Sequence, residues 1–597
     1  MRDLDLTLRA LRVAYAAGSS PVDVIAEVYR RIDALGDPGI FLHLTDRDAA
    51  LAEAAALGDF DPARPLWGVP FAVKDNIDVA GQPTTAACPA FGYVAKADAF
   101  VVARLRAAGA VPVGKTNLDQ FATGLVGVRT PGPAPLNALD PAIVPGGSSS
   151  GSAVAVARGL VTFALGTDTA GSGRVPAALN NIVGLKPSLG ALSTRGVVPA
   201  CRTLDTVSVF ALTVDDAHAA FLVAAGFDEA DPYSRVTPSG PLGAAPAHPV
   251  IGVPSAASLR FFGDALHEAA FEVDVARLRA MGAVIRDVDF GPFYDVADML
   301  YAGAWVAERH AVVGPLMERD PEAVLPVIRR IVSGAVGMSA TDAFRGFYRL
   351  ETLRRAVEPV IAGVDAFCVP TIPTFYTLAD LAADAIGPNS RLGTYTNFVN
   401  LLGLCGLAVP TPARADGRPG GVTLLAAAGR DGVLASLARK IERWGDRTLG
   451  ATGWAVPRAP DAVALAGPDE IEIAVCGAHM SGLRLNGELT RLGGRFLRAA
   501  RTTPEYRLFA LPGGPPRRPG MLRAAAGGAI ALEVWALPNA AFGTFIAGVP
   551  APLGIGTVRL ADGTRPKGFL VEAAGVEGAE DVTHFGDWRR VIAEAAA

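Results

Sequence analysis

The residues of this chain best suited to covalent chemistry lie in two short stretches. The first is Gly146-Gly147-Ser148-Ser149-Ser150-Gly151-Ser152, and the second is Gly166-Thr167-Asp168-Thr169-Ala170-Gly171-Ser172-Gly173-Arg174-Val175-Pro176. Glycine-rich backbone can turn its N–H groups toward open space, and a turn entering a helix aims several of them at one developing negative charge. An oxyanion hole requires that geometry. The apolar segment between, 154–165, reads as the end of a helix followed by a short buried strand at 161–165. Both turns then fall on the same rim of a sheet.

A nucleophilic serine needs a base. Gly147-Ser148-Ser149-Ser150-Gly151 fits the nucleophile-elbow pattern, whose serine is served by an acid and then a histidine further along the chain. The seven histidines are His43, His218, His248, His267, His310, His479 and His584, and none has a catalytic local setting for the large domain. A Ser-His-Asp reading is therefore disfavoured. The other candidate base is Lys74, which follows the apolar run 66–73. An apolar setting disfavours the ammonium form and lowers the lysine pKa, and Ser-Lys catalysis is a known variant of triad logic. Taken alone, a strand-end lysine is far more often a solvated charge than a base. Gly109-Ala110-Val111-Pro112-Val113-Gly114-Lys115-Thr116 also satisfies the phosphate-binding loop pattern, but its context is wrong. That loop follows a strand and opens a helix, whereas here a helix precedes Gly109 and Val-Pro-Val is itself the strand.

The elements that must position these residues alternate. Ser20-Pro21 gives an N-cap and a first-turn proline ahead of a helix over 22–32. Further helices are expected near 49–57, 99–108 and 433–444, with short apolar strands at 66–73, 111–113, 161–165, 250–253, 284–288 and 366–369. This is an α/β arrangement with both sheet faces covered. Beyond it, residues 450–467 are rich in Ala, Pro and Gly and read as a linker. β-like runs at 471–475, 506–510, 530–537 and 568–572 then form a small β-rich domain over 468–597. At 597 residues, two domains are expected.

Composition narrows the function. Half the residues are hydrophobic, yet no apolar run reaches the roughly 18 residues that span a bilayer. Met1-Arg2-Asp3-Leu4-Asp5 carries no signal-peptide core, so a cytoplasmic location is expected. Cys88, Cys201, Cys368, Cys405 and Cys476 are scattered and never at metal-ligand spacing, which argues against disulfides and zinc. The net charge of −5 comes with no basic block, so neither nucleic acid nor an anionic membrane is an expected partner. No motif implies a metal or an organic cofactor.

Lys74 in a Gly-Val-Pro-x-x-x-Lys-Asp setting, the Gly-Gly-Ser-Ser turn and the Gly-Thr-Asp-Thr-x-Gly-Ser turn, in this order, resemble the amidase signature family over about residues 1–445. The resemblance implies an α/β fold with a mixed central sheet covered by helices, filling 1–449. It also implies a Ser-cisSer-Lys triad. Lys74 is the base, Ser148, preceded by a cis peptide, is the relay, and Ser172 is the nucleophile, 24 positions further on. Thr169, Ala170, Gly171 and Ser172 would offer backbone N–H groups to the oxyanion. Ser150, where glycine is usual, and Gly173, where an aliphatic residue is usual, resemble one subgroup, the allophanate hydrolases. Their substrate is a small anion, and the positions matching the subgroup's substrate-holding residues are Tyr301 and Arg309, with Gly124 as a further backbone contact. Eight positions along one helix leave Tyr301 and Arg309 about 80 degrees apart, on one side.

In the second domain Gly477-Ala478-His479 resembles the C-terminal domain of that subgroup, whose β-rich α+β fold is similar to γ-glutamyl cyclotransferases. The resemblance implies decarboxylation of the first product, N-carboxycarbamate, with His479 moving a proton and His584 as the alternative. An assembly module without chemistry is the competing role. The expected protein is thus an allophanate-cleaving homodimer, linked in function to a biotin-dependent urea carboxylase. The alternatives are a malonamidase-like enzyme or an amidotransferase component.

Overall fold

A computed structural model describes residues 4–237, 242–458 and 464–596. The first domain is built on an eleven-stranded mixed sheet. Its spatial order is Phe41–Leu44, Val111–Thr116, Pro70–Lys74, Phe163–Asp168, Thr206–Ala211, Val183–Lys186, Cys405–Thr411, Gly420–Ala426, Ala366–Pro370, Val250–Pro254 and Val284–Val288. Pro70–Lys74 runs parallel to both of its neighbours. A strand so placed is covered on both faces, which explains its unbroken apolar sequence up to Lys74. Phe71 and Phe163 stack across the pair with ring centroids 5.2 Å apart. Because the strands are parallel, Lys74 and Asp168 finish on the same rim. The expected strand at 66–73 begins only at Pro70, since Gly68 takes a positive φ of 72° in the preceding turn.

The helix after the first serine turn, Ser150–Ala157, has all eight residues buried, consistent with a sequence of small and apolar residues that carries no charge. Ser20 caps Pro21–Leu35 through Val22 N as expected. Gly109 ends Phe100–Ala107 and leads directly into Val111–Thr116, so the phosphate-loop match is a helix stop followed by a strand. Lys115 lies near the end of that strand, buried, ion-paired with Asp75 at 3.3 Å and bonded to Pro83 O. All five cysteines are free and buried. Among the described residues no helix is long and apolar enough to cross a membrane.

The second domain pairs a five-stranded sheet, with Glu470–Val475 at its centre, with a three-stranded sheet around Tyr506–Leu511. It has its own core around Ile473, Leu508, Val534, Trp535 and Trp588. The expected linker is shorter than 450–467. Gly450 N and Ala451 N donate to Asn181 O and Ala157 O, and Trp454 lies under Arg31, so its first residues belong to the large domain. Residues 459–463 lie outside the described chain. The domains touch through Arg430 Nη1 on Thr490 O at 3.2 Å and His248 N on Ser481 Oγ at 3.3 Å.

Candidate active site

Lys74 is fully buried at the end of its strand. Its Nζ lies 2.7 Å from Ser148 Oγ and 2.7 Å from Thr167 Oγ1. No carboxylate forms an ion pair with it among the described residues. Burial holds its pKa down at about 7, against weaker opposing pulls from Asp119, Asp205 and Asp168. A neutral amine that donates to Thr167 turns its lone pair toward the Ser148 hydroxyl. Thr167 lies within the second glycine-rich stretch, where nothing local assigns it a role; the parallel register of the two strands does.

The peptide Gly147-Ser148 is cis. Around it the backbone leaves no room for side chains. A Cβ on Gly147 would lie 2.0 Å from Asp119 Oδ2, and one on Gly124 would lie 2.5 Å from the same atom. Asp119 fills that space because it accepts from Gly127 N and Arg129 N at 3.0 and 2.8 Å, while Asp119 N donates to Ser148 O. No local pattern marks Asp119 in the sequence, since its partners are backbone groups brought in by the turn. Gly124 is thus held against Asp119; its expected contact with substrate is a separate matter. Ser150 Oγ is buried and has no hydrogen-bond partner among the described residues.

The second turn is organised by Asp168. Its carboxylate accepts from Gly171 N and Gly173 N at 3.0 Å each, and pairs with Arg174 through two bonds of 2.9 Å. Both side chains are buried. Gly171 N–H is therefore committed to Asp168 and not available to an oxyanion. Thr169, Ala170 and Ser172 have backbone N–H groups that donate to no protein atom among the described residues. The Ser172 side chain is buried at the rim and makes no hydrogen bond to Ser148. Gly173 has a packing cause, because a Cβ there would sit 2.5 Å from Ser208 Cβ.

Tyr301 and Arg309 do not share one helix as the sequence suggested. Gly303 takes an extended conformation and breaks the run into Gly291–Ala302 and Trp305–Arg319. The two side chains still meet: the Arg309 guanidinium lies 5.1 Å from the Tyr301 ring centroid, and Arg309 Nη2 is 3.5 Å from the Tyr301 hydroxyl. Arg309 Nη1 donates to Thr123 Oγ1 at 3.1 Å, next to Gly124. Arg309 is 1 % exposed, its Nε has no partner, and it pairs with no carboxylate among the described residues. A buried guanidinium in that state is prepared for an anion. Thr123, far away in sequence, carried no signal.

His479 lies in the turn after Glu470–Val475. Its ring is sandwiched by Phe569, stacked at 5.2 Å, and Phe545, edge-on at 5.3 Å, and its Nε2 meets Glu488 Oε2 at 2.9 Å. Burial pushes its pKa down, against the pull of Glu488. These groups line a cavity of about 360 Å³ together with Arg518 and the segment 514–516. His584 packs on Phe585 and does not line the cavity. Among the described residues no cluster of three or more His, Cys, Asp or Glu is placed to hold a metal ion.

Comparison with known proteins gives two family matches, Amidase over residues 23–434 and Allophanate hydrolase C-terminal domain over residues 471–593. The urea amidolyase of Saccharomyces cerevisiae is 45% identical over 88% of this chain, but the chain spans only 29% of that relative's length. A glutamyl-tRNA(Gln) amidotransferase component from Nitratidesulfovibrio vulgaris is 35% identical over 73% of this chain and 96% of its own length. Among solved structures, Kluyveromyces lactis allophanate hydrolase is 40% identical and matches 99% of each chain with a TM-score of 0.78. The lysine and two serine turns on one sheet rim and the match over most of the chain agree: this chain belongs to the amidase family and carries a C-terminal domain of the allophanate hydrolase type.

Proposed function

We propose that this chain hydrolyses allophanate, urea-1-carboxylate, to N-carboxycarbamate and ammonia, and that the second domain promotes decarboxylation of that product. The observation that carries the substrate assignment is Arg309, buried, unpaired and backed by Tyr301. A planar guanidinium takes a carboxylate through two parallel hydrogen bonds, and a neutral amide would leave it unsatisfied.

In this reading neutral Lys74 takes the proton of Ser148, and Ser148 takes that of Ser172 as its Oγ forms a bond to the amide carbon. A rotation of the Ser172 side chain closes the relay, and catalytic contacts that are loose without substrate commonly tighten with it. Charge on the carbonyl oxygen falls to the N–H groups of Thr169, Ala170 and Ser172. As the C–N bond breaks, the Lys74 ammonium returns its proton through Ser148, and ammonia leaves. Water then repeats the cycle on the acyl-enzyme, releasing N-carboxycarbamate. In the second cavity Arg518 attracts the dianion, and His479, paired with Glu488, gives a proton to the nitrogen as carbon dioxide departs. Loss of the remaining carboxylate completes the yield of ammonia and carbon dioxide.

The test is ammonia release from allophanate, malonamate and glutamine by the wild type and by Ser172→Ala. Allophanate is expected to be the preferred substrate and Ser172→Ala to be inactive. Preference for malonamate or glutamine would overturn the substrate while keeping the mechanism. A cytoplasmic homodimer supplied by a biotin-dependent urea carboxylase belongs to the same proposal, and sedimentation of the purified chain checks its dimeric part.

A further inference from the structure

Asp205 is a buried carboxylate with no cation bonded to it among the described residues. It immediately precedes Thr206–Ala211, whose antiparallel register sets Thr206 opposite Asp168. One step further along that ladder, Asp205 faces Thr169. Its Oδ1 accepts from the Thr169 hydroxyl and from Cys201 N at 3.2 Å, and its Oδ2 accepts from Ala200 N at 2.7 Å. Asn400 Nδ2 clasps the same junction by donating to Asp168 O and Leu204 O at 2.8 and 2.9 Å. The loop leading to Asp205 also grips the helix that carries Arg309. Thr203 donates from N and Oγ1 to Glu308 at 2.9 and 2.7 Å, and Cys201 Sγ is 3.5 Å from Trp305 O.

We propose that Asp205 is a positioning residue for amide cleavage, holding Thr169 so that the free N–H groups of the 169–172 turn converge, and that its loop ties this turn to the Arg309 helix. The proposal rests on the reading that this turn receives the oxyanion. Thr169 cannot be held from the turn itself, because Asp168 is fully engaged with Gly171, Gly173 and Arg174. Burial has raised the Asp205 pKa to about 6 despite its three donors. A carboxylate kept in so unfavourable a place is retained for what it holds.

The deciding variant is Thr169→Val, which deletes the hydroxyl at nearly constant shape. Removing one oxyanion donor outright lowers kcat by about 10²–10³; misdirecting one is expected to lower kcat about 10- to 100-fold with KM within about twofold. Thr169→Ser is expected to restore kcat to within about threefold, because it returns the donor. Asp205→Ala, which removes the acceptor, should fall at least as far as Thr169→Val, and the double variant no further than Asp205→Ala, since both remove one interaction. A Thr169→Val kcat within about threefold of wild type, a loss carried by KM alone, failure of serine to rescue, or multiplying losses would overturn the proposal. Ser172→Ala, measured alongside, separates the two failures. If it is inactive while Thr169→Val is normal, only this proposal falls; if it is active, the catalytic reading falls with it.

Discussion

Under the proposed function, the two candidate sites face different chemical problems and are made of different materials. The first is built from backbone: glycines at 124, 147, 171 and 173 that admit no side chain, a buried lysine, and N–H groups left free. The second is built from side chains, with His479 between two phenylalanine rings and one glutamate, in an open cavity. Cleaving an amide requires charge to be stabilised on an oxygen at a fixed point, which only a rigid frame provides. Promoting the collapse of an unstable dianion needs a proton at the right place and a cation nearby. The contrast predicts that the first site is intolerant of small geometric change and the second tolerant.

That contrast can be broken. The largest loss is expected from Lys74→Ala, Ser172→Ala or Gly147→Ala, each lowering ammonia release by about 10⁴-fold or more; the last adds one methyl 2.0 Å from Asp119 Oδ2. A Gly147→Ala enzyme with near-normal kcat would refute the rigid-frame account. Arg309→Ala should lower kcat/KM for allophanate about 10²- to 10³-fold, and its effect on an uncharged amide should be much smaller. The pH profile sharpens the account of Lys74. Because burial brings its pKa from the usual lysine range to about 7, the base is neutral above that pH and protonated below it. Log kcat/KM should therefore rise with unit slope toward pH 7 and level above it. His479→Asn should leave the first ammonia unchanged and slow carbon dioxide release about 10- to 100-fold. Glu488→Gln should give the smallest effect, a severalfold slowing of the same step, read by following both products.

Lys74, Ser148 and Ser172 were legible because each sits in a local pattern whose glycines and apolar run describe its surroundings. The α/β class and most strands were legible for the same reason. The rest was set by pairing between distant segments. Thr167 gained its role from the parallel register with Lys74, and Thr123 and Asp205 from contacts that no periodicity announces. The pairing of Tyr301 with Arg309 was legible although their single helix was not, because Gly303 divides a run that composition alone reads as continuous. The linker was overdrawn where Trp454 docks on the large domain.

Asp168 has a consequence beyond electrostatics. By tying Gly171, Gly173 and Arg174 into one closed set of bonds, it removes the rotational freedom of the turn while the chain folds. Freezing a residue's backbone opposes folding by about 1–2 kcal/mol of conformational entropy, and that freedom has already been given up when substrate arrives. The acylation step should accordingly show an activation entropy near zero, with the temperature dependence of its rate carried almost wholly by enthalpy.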